Sequence, residues 1–171
     1  MIALKWLGAA VILASCCSVG FMIRLSHNKE VNTLKTFISA LDFMECELQY
    51  RMYALPELCR LAAQECDGPL RKFFSILSNE LEDQISPDVK RCIKVVLSKI
   101  KDLPISTLDG IESLGNSLGR FDLQGQLKGL ESVRSECRIK LNKLVGNSDT
   151  RLRSYQTLGL CAGAAIVILL V

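Results

Sequence analysis

The chain has 171 residues and 49% of them are hydrophobic, which is enough for one domain with a substantial buried core. Removing Lys5 and Arg24 from its 21 basic residues leaves 19 cations against 18 acidic residues, so the rest of the chain is almost neutral. This balance and an aromatic content of only 6% argue against nucleic-acid binding, which favours a basic excess and aromatic side chains for stacking.

An uncharged stretch of 18 residues lies near the amino terminus, from Trp6 to Ile23. A helix needs about 20 apolar residues to cross a bilayer, so the sequence predicts a transmembrane helix within residues 1–25. Leu13-Ala14-Ser15-Cys16 allows a second interpretation, because bacterial lipoprotein processing uses small residues before a cysteine. Against that interpretation, the apolar stretch continues for seven residues beyond Cys16, and a single lysine precedes it where signal peptides are more basic.

Apolar residues between positions 26 and 153 recur at spacings of three and four, the pattern of helices that bury one face. The first helix is predicted to begin at an Asn28 cap. It is predicted to end before Leu55-Pro56, because the residue before a proline avoids the helical region. The expected buried positions of the first three helices are Val31, Leu34, Ile38, Leu41, Phe43, Met44, Leu48, Leu58, Leu61, Ala62, Leu70, Phe73, Phe74, Leu77 and Leu81.

Residues that favour turns or helix N-caps mark the boundaries of the later helices. They are Asp67-Gly68-Pro69 before the third helix, Ser86-Pro87-Asp88 before the fourth, Ser106 or Thr107 before the fifth and Asp122 before the sixth. A softer break is predicted at Gly146-Asn147-Ser148-Asp149, where the apolar spacing continues. No strand is predicted, and the short connections indicate an all-α fold, an antiparallel six-helix bundle over residues 26–153.

A second apolar segment runs from Leu158 to Val171 and reaches 17 residues when it is extended back to Tyr155. This length is at the lower edge of the spanning range, so residues 154–171 are predicted to form a second transmembrane helix. Cations flank the inner side of both segments: Arg24, His27, Lys29, Lys35, Lys140, Lys143, Arg151 and Arg153. The positive-inside rule therefore predicts a two-pass protein of the cell membrane, with a cytoplasmic bundle and both termini outside.

The residues of an enzyme or a metal site are scarce in this sequence. His27 is the single histidine, and neither a C-x-x-C pair nor the G-x-x-x-x-G-K-[ST] phosphate loop occurs. Five of the eight cysteines lie scattered outside the apolar segments, as expected for reduced thiols in the cytoplasm. The sequence therefore predicts a protein without enzymatic activity, metal, cofactor or small-molecule substrate.

Three local patterns resemble those of a known family. They are Ala40-Leu41-Asp42-Phe43-Met44-Glu45-Cys46-Glu47-Leu48-Gln49-Tyr50 with Ala54-Leu55-Pro56-Glu57-Leu58, then Leu114 to Gln126 as L-G-x-x-L-G-x-x-D-x-x-x-Q, and the ending that begins at Leu158-Gly159-Leu160. With these motifs, essentially the whole chain resembles the stage III sporulation protein AB family of endospore-forming bacteria. That family looks like a reduced relative of the type II secretion F proteins, inner-membrane platforms with a six-helix cytoplasmic bundle.

The resemblance implies a role in the sporulation channel complex between mother cell and forespore. The expected partners are the secretion-type ATPase of that complex, on the mother-cell side, and its other membrane subunits. The expected location is the mother-cell membrane around the forespore. The function predicted first is a non-enzymatic platform or adaptor that docks this ATPase to the membrane.

Two alternative functions remain open. In the first, the chain is a structural scaffold whose membrane segments recruit other channel subunits, because small residues in a span let another helix approach closely. Those small residues are Gly159, Cys161, Gly163 and Ala164. In the second, processing at Cys16 makes the chain an exported lipoprotein-like binding module.

Acidic residues form the first group of candidate interaction residues. Asp42 and Glu45 are three positions apart and share one side of the first helix, with Glu47 close by. They predict an acidic face for a basic surface of the ATPase, or simply a solvated face.

Glycines form the second group. Gly115 and Gly119 lie four positions apart in an apolar helix, where each costs about 1 kcal/mol relative to alanine. They predict close helix packing, a hinge or a docking surface, with Asp122 and Gln126 completing the motif. The alternative for Gly119 is helix termination, with Asp122 capping the next helix.

Overall fold

The computed structural model describes the backbone of residues 2–83, 88–119 and 122–170, and the side chains of residues 22, 24–83, 88–119 and 122–146. The described backbone forms helices and contains no strand, which confirms the all-α prediction. The helices are α1 (Ile2–Arg51), α2 (Leu55–Glu65), α3 (Gly68–Glu82), α4 (Val89–Lys99), α5 (Ile105–Ser117) and α6 (Leu123–Leu170).

Contacts divide the chain into two compact units. One is Glu30–Asn142, which holds the helical bundle, and the other comprises Met1–Lys29 and Lys143–Val171. Among the residues whose side chains are described, no helix has the length and apolar character required to cross a membrane. The two segments predicted to do so, residues 1–25 and 154–171, fall almost entirely outside those described side chains.

Both long helices run through breaks that the sequence predicted. Asn28 does not cap a helix, because α1 is already helical from Ile2 onward and continues to Arg51. An interior asparagine costs less than 1 kcal/mol relative to alanine, too little to interrupt a long helix. The soft break predicted at Gly146-Asn147-Ser148-Asp149 is also wrong, because α6 continues to Leu170.

Aspartate caps open two of the helices. Asp88 caps α4, with its Oδ1 accepting from the backbone N–H of Lys90 at 3.2 Å. Asp122 accepts from the backbone N–H of Gly125 at 3.0 Å, which confirms the predicted cap of α6. The Ser86 cap lies outside the described residues. At the start of α3, Gly68 has φ +61°, a left-handed conformation that glycine adopts without a Cβ penalty.

The predicted cap of α5 is wrong. The helix begins at Ile105 directly after Pro104, which occupies the N-cap position in an extended conformation. Proline fixes its own φ near the value it has here, −63°, so the chain enters the helix without a side-chain cap. The hydroxyls of Ser106 and Thr107 are instead buried, and neither has a hydrogen-bond partner among the described residues.

The core of the Glu30–Asn142 unit is centred on three phenylalanines. Phe37 of α1 stacks on Phe74 of α3 with ring centroids 6.4 Å apart, and Phe73 meets Phe74 edge to face at 5.2 Å. All three side chains are fully buried, as the spacing predicted for Phe73 and Phe74. Leu41 and Leu77 extend this core along the same two helices, so α1 is held against α3 by apolar burial.

Candidate interaction site

An ion-pair cluster joins α1 to α6 and contains two of the predicted acidic residues. The Nη1 of Arg134 lies 2.7 Å from Asp42 Oδ1 and 2.6 Å from Glu45 Oε2. Arg138, one turn further along α6, reaches Asp42 Oδ2 at 3.3 Å. The cluster forms because positions three apart in α1 and four apart in α6 share one helix face.

The inner part of this cluster is shielded from water. The side chain of Arg134 is 22% exposed and that of Glu45 is 25% exposed, whereas Arg138 is 57% exposed. The hydrogen bond to Asp42 raises the pKa of Arg134 above its ordinary value. Charge-assisted hydrogen bonds are stronger than neutral ones, so Arg134 makes the main polar connection between α6 and α1.

The cluster changes what the acidic residues offer to a partner. Asp42 and Glu45 are neutralised within the chain, and Glu47 lies 3.7 Å from Arg51 of its own helix. Glu47 Oε2 is also buried, and no described residue forms a hydrogen bond with it. The acidic face that the sequence predicted is therefore engaged intramolecularly, and ATPase docking through these residues stays a prediction.

Gly115 of α5 lies against α4. A Cβ at this position would be 3.0 Å from Ile93 Cδ1 and 3.4 Å from the Cα of Lys90. The second distance involves backbone, so the glycine lets the two helices approach closely, as one of the sequence interpretations proposed.

Gly119 has a different role. It follows the end of α5 with φ +77°, and a Cβ would be 2.6 Å from Val89 Cγ2 at the start of α4. Asp122 then caps α6, and the backbone N–H of Gln126 donates to the Asp122 carbonyl at 3.0 Å. Gly119 therefore lies just after the end of α5, and Asp122 lies at the start of α6.

Sequence reasoning missed two further glycines at close helix contacts. A Cβ on Gly110 would be 2.7 Å from Cys137 Sγ and 2.9 Å from Phe37 Cε1. A Cβ on Gly129 would be 2.5 Å from the Cβ of Ser117. Both glycines lie within helices, where a glycine lowers helix stability relative to alanine. Their position inside predicted helices could therefore have indicated close packing.

Sequence reasoning also missed a group of cations on α4. Lys90, Arg91 and Lys94 are exposed, and none of them forms an ion pair with any described residue. The signal is present in the sequence, because α4 reads VKRCIKVVLSK and contains no acidic residue.

The described residues lack a metal or thiol centre. In the part of the chain with described side chains, no three His, Cys, Asp or Glu residues are arranged to hold a metal ion. Burial raises the pKa of the Cys59 thiol to about 12 and that of Cys137 to about 11, which keeps both thiols protonated. A groove of about 570 Å³ lies between α2 and α3, but its two arginines, Arg60 and Arg71, are ion-paired.

The described helices thus define an all-α bundle with close glycine contacts and an internal ion-pair cluster. The family model described as stage III sporulation protein AB matches residues 5–171. The chain therefore belongs to the stage III sporulation protein AB family, as its motifs predicted.

Two similar proteins agree with this assignment. Stage III sporulation protein AB of Bacillus subtilis (strain 168) is 24% identical over 170 residues, covering 98% of this chain and 99% of the relative. A solved structure of stage III sporulation protein AB has a TM-score of 0.61 and 18% identity, covering 71% of this chain and 98% of the solved chain. At that identity, the structural likeness establishes a shared fold.

Proposed function

We propose that this chain is a non-enzymatic, two-pass membrane platform that docks a secretion-type ATPase to the sporulation channel between mother cell and forespore. The observation that carries the proposal is the family match, which extends from residue 5 to residue 171 and so includes both apolar segments with the bundle. A platform needs anchors and a folded body in one chain, and the sequence pattern supplies both.

The membrane part of the proposal rests on two uncharged segments with cations on their inner sides. Protease treatment of sealed right-side-out vesicles tests it. Residues 26–153 should be protected, and they should become cleavable once detergent opens the vesicles. Cleavage of the bundle in intact vesicles would contradict a cytoplasmic location.

The docking part of the proposal follows from the resemblance to secretion F proteins. Its test is co-purification of the detergent-solubilised full chain with the ATPase of the complex. We expect the ATPase to be retained under mild salt and to be absent from a matched purification of an unrelated two-pass protein. Loss of the ATPase under conditions that preserve a known pair from the same complex would contradict docking.

The scaffold function is separated from docking by exchanging both apolar segments for unrelated membrane helices. A platform keeps its ATPase contact after the exchange, because that contact belongs to the bundle. A scaffold loses its other channel subunits, because the spans recruit them. Mass spectrometry of the mature amino terminus tests the lipoprotein function, which requires a lipid-modified Cys16 as the first residue.

A further inference from the structure

The outward face of α4 carries three cations that are close together in sequence and form no ion pair with a described residue. Lys90, Arg91 and Lys94 fall within one and a half turns and point to solvent. Among the described residues, the only acidic partner of an α4 side chain is Glu80, which pairs with Lys99 at the other end of the helix. Three adjacent cations are therefore left without a carboxylate among the described residues.

This arrangement is unfavourable for the isolated helix. Lys90 and Arg91 stand in the first turn, where the helix dipole disfavours positive charge. Lys90 and Lys94 are four positions apart on the same face and repel each other. Asp88 offsets part of this cost by capping the helix through the backbone N–H of Lys90. The charge of these three cations is therefore available to a partner.

The place of these cations in the bundle leaves them open to a protein partner. The start of α4 lies near the start of α2, because a Cβ on Gly119 would contact both Val89 and Leu55. Leu55 follows the end of α1 closely, whereas α1 enters this unit at Glu30. Residues 30 to 51 of a helix span about 30 Å, several times the Debye length of about 8 Å at physiological salt. Charges at the Glu30 end are screened from the α4 cations.

Neighbouring residues on α4 favour the same partner. Val95 is 36% exposed beside the cations and gives the face an apolar contact. Ser98, one turn after Lys94, is small and exposed. Aromatic side chains, on which the bases of single-stranded nucleic acid stack, are absent from α4.

We infer that the outward face of α4, formed by Lys90, Arg91, Lys94, Val95 and Ser98, binds an acidic surface of a partner protein. This inference deepens the proposed platform function, because it assigns the docking contact to basic α4 and not to the neutralised acidic residues of α1. Complementary charge governs the association rate and the choice of partner more than the total affinity.

The experiment uses the full chain with a photo-crosslinking amino acid at position 95, and at Ile139 as an exposed control on α6. A crosslink from position 95 to an acidic segment of one protein of the channel complex is expected in sporulating cells. The triple variant Lys90→Glu/Arg91→Glu/Lys94→Glu should weaken binding about 10- to 100-fold, since like charges across an interface repel. Reversing the crosslinked acidic residues of the partner to lysine should restore it.

Matched controls separate charge from folding. The variant Lys35→Glu/Lys72→Glu/Lys128→Glu makes the same charge change at exposed positions on α1, α3 and α6 and should alter binding less than about twofold. If the α4 reversal impairs folding, Lys90→Gln/Arg91→Gln/Lys94→Gln replaces it, and about a tenfold loss of binding is expected.

The outcomes distinguish this inference from the proposed function. If the ATPase co-purifies equally well with both α4 variants, the α4 inference is overturned and the platform function is unaffected. A charge-dependent α4 contact with another acidic protein of the complex, together with loss of ATPase co-purification, supports the inference while contradicting ATPase docking. Crosslinks to lipid, nucleic acid or a second copy of this chain overturn the inference.

Discussion

Two arginines of α6 and three cations near the start of α4 lie in opposite environments. Arg134 and Arg138 of α6 meet carboxylates of α1, whereas Lys90, Arg91 and Lys94 of α4 meet none among the described residues. The two arginines of α6 connect helices that are distant in sequence, because their acidic partners are Asp42 and Glu45. The three cations of α4 leave their charge available to a partner.

The contrast shows why charge alone does not locate an interaction surface. The sequence predicted an acidic interaction face on α1, but two of its residues are neutralised by arginines of α6 in the folded chain. Surface ion pairs contribute little to stability, whereas a shielded pair leaves costly unpaired charge when one partner is removed. Whether a cation stabilises the fold or recruits a partner depends on what the fold places opposite it.

The largest expected effect follows removal of the shielded cation. Arg134→Ala should lower the free energy of unfolding by about 2 kcal/mol, because Glu45 loses its charged hydrogen-bond donor and Asp42 keeps only the more exposed Arg138. Urea unfolding of the full chain in detergent, followed by circular dichroism, measures it. Arg138→Ala is the matched control and should cost less than about 1 kcal/mol, since Arg138 is more exposed. Equal losses in the two variants would contradict the assignment of Arg134 as the main connection.

Close packing stabilises the start of α4, whereas ion pairs stabilise the contact between α1 and α6. Gly119→Ala should cost about 2 kcal/mol, because a left-handed backbone is strained with a Cβ and the new methyl would meet Val89. Gly68→Ala has a similar φ but open space, so about 1 kcal/mol is expected there. Thermal melts of both variants measure the difference in their free energies of unfolding. If Gly119→Ala lost no more stability than Gly68→Ala, packing against Val89 would contribute nothing.

Thiol exposure can show whether α6 opens independently of α4. Cys137 of α6 and Cys92 of α4 are both buried, and burial raises the pKa of each thiol, so alkylation in the native state is slow. In the Arg134→Ala variant, alkylation of Cys137 should accelerate about tenfold at pH 8, since about 1.4 kcal/mol changes an opening equilibrium tenfold. Mass spectrometry follows both cysteines, and an equal acceleration of Cys92 would indicate global unfolding.

The smallest expected effect is on α4 itself. Lys90→Ala should raise the free energy of unfolding by a few tenths of a kcal/mol, because it removes repulsion by Lys94 and an unfavourable charge from the first turn. Lys140→Ala is a suitable contrast, since Lys140 bridges Asp109 and Glu136 and its loss should destabilise slightly. A clear loss of stability in Lys90→Ala would mean that its charge is already matched within the fold.

Local signals in the sequence predicted most of the fold. Proline at Leu55-Pro56 and the aspartate cap at Asp122 act on neighbouring backbone, so short patterns identified both correctly. Asn28 and Gly146 failed as breaks because the helices on both sides of them continue, and one weak helix former does not stop a long helix.

The candidate site was harder to predict than the fold. Arg134 and Asp42 are 92 positions apart, and no local pattern indicates that they meet. Glycine spacing predicted close packing at Gly115, but the partner of each glycine depends on which helix lies opposite. The α4 cations were visible in the sequence, yet only the fold shows that no described carboxylate pairs with them.

The salt dependence of partner binding tests the central contrast most directly. Binding of the full chain to its partner would be measured between low and physiological salt for the unchanged chain, for Arg134→Met below its melting temperature and for Lys90→Gln/Arg91→Gln/Lys94→Gln. We predict that Arg134→Met keeps the salt slope of the unchanged chain, while the α4 variant flattens it, because exposed charges across an interface are screened by salt. A slope that Arg134→Met flattens and the α4 variant preserves would contradict the account.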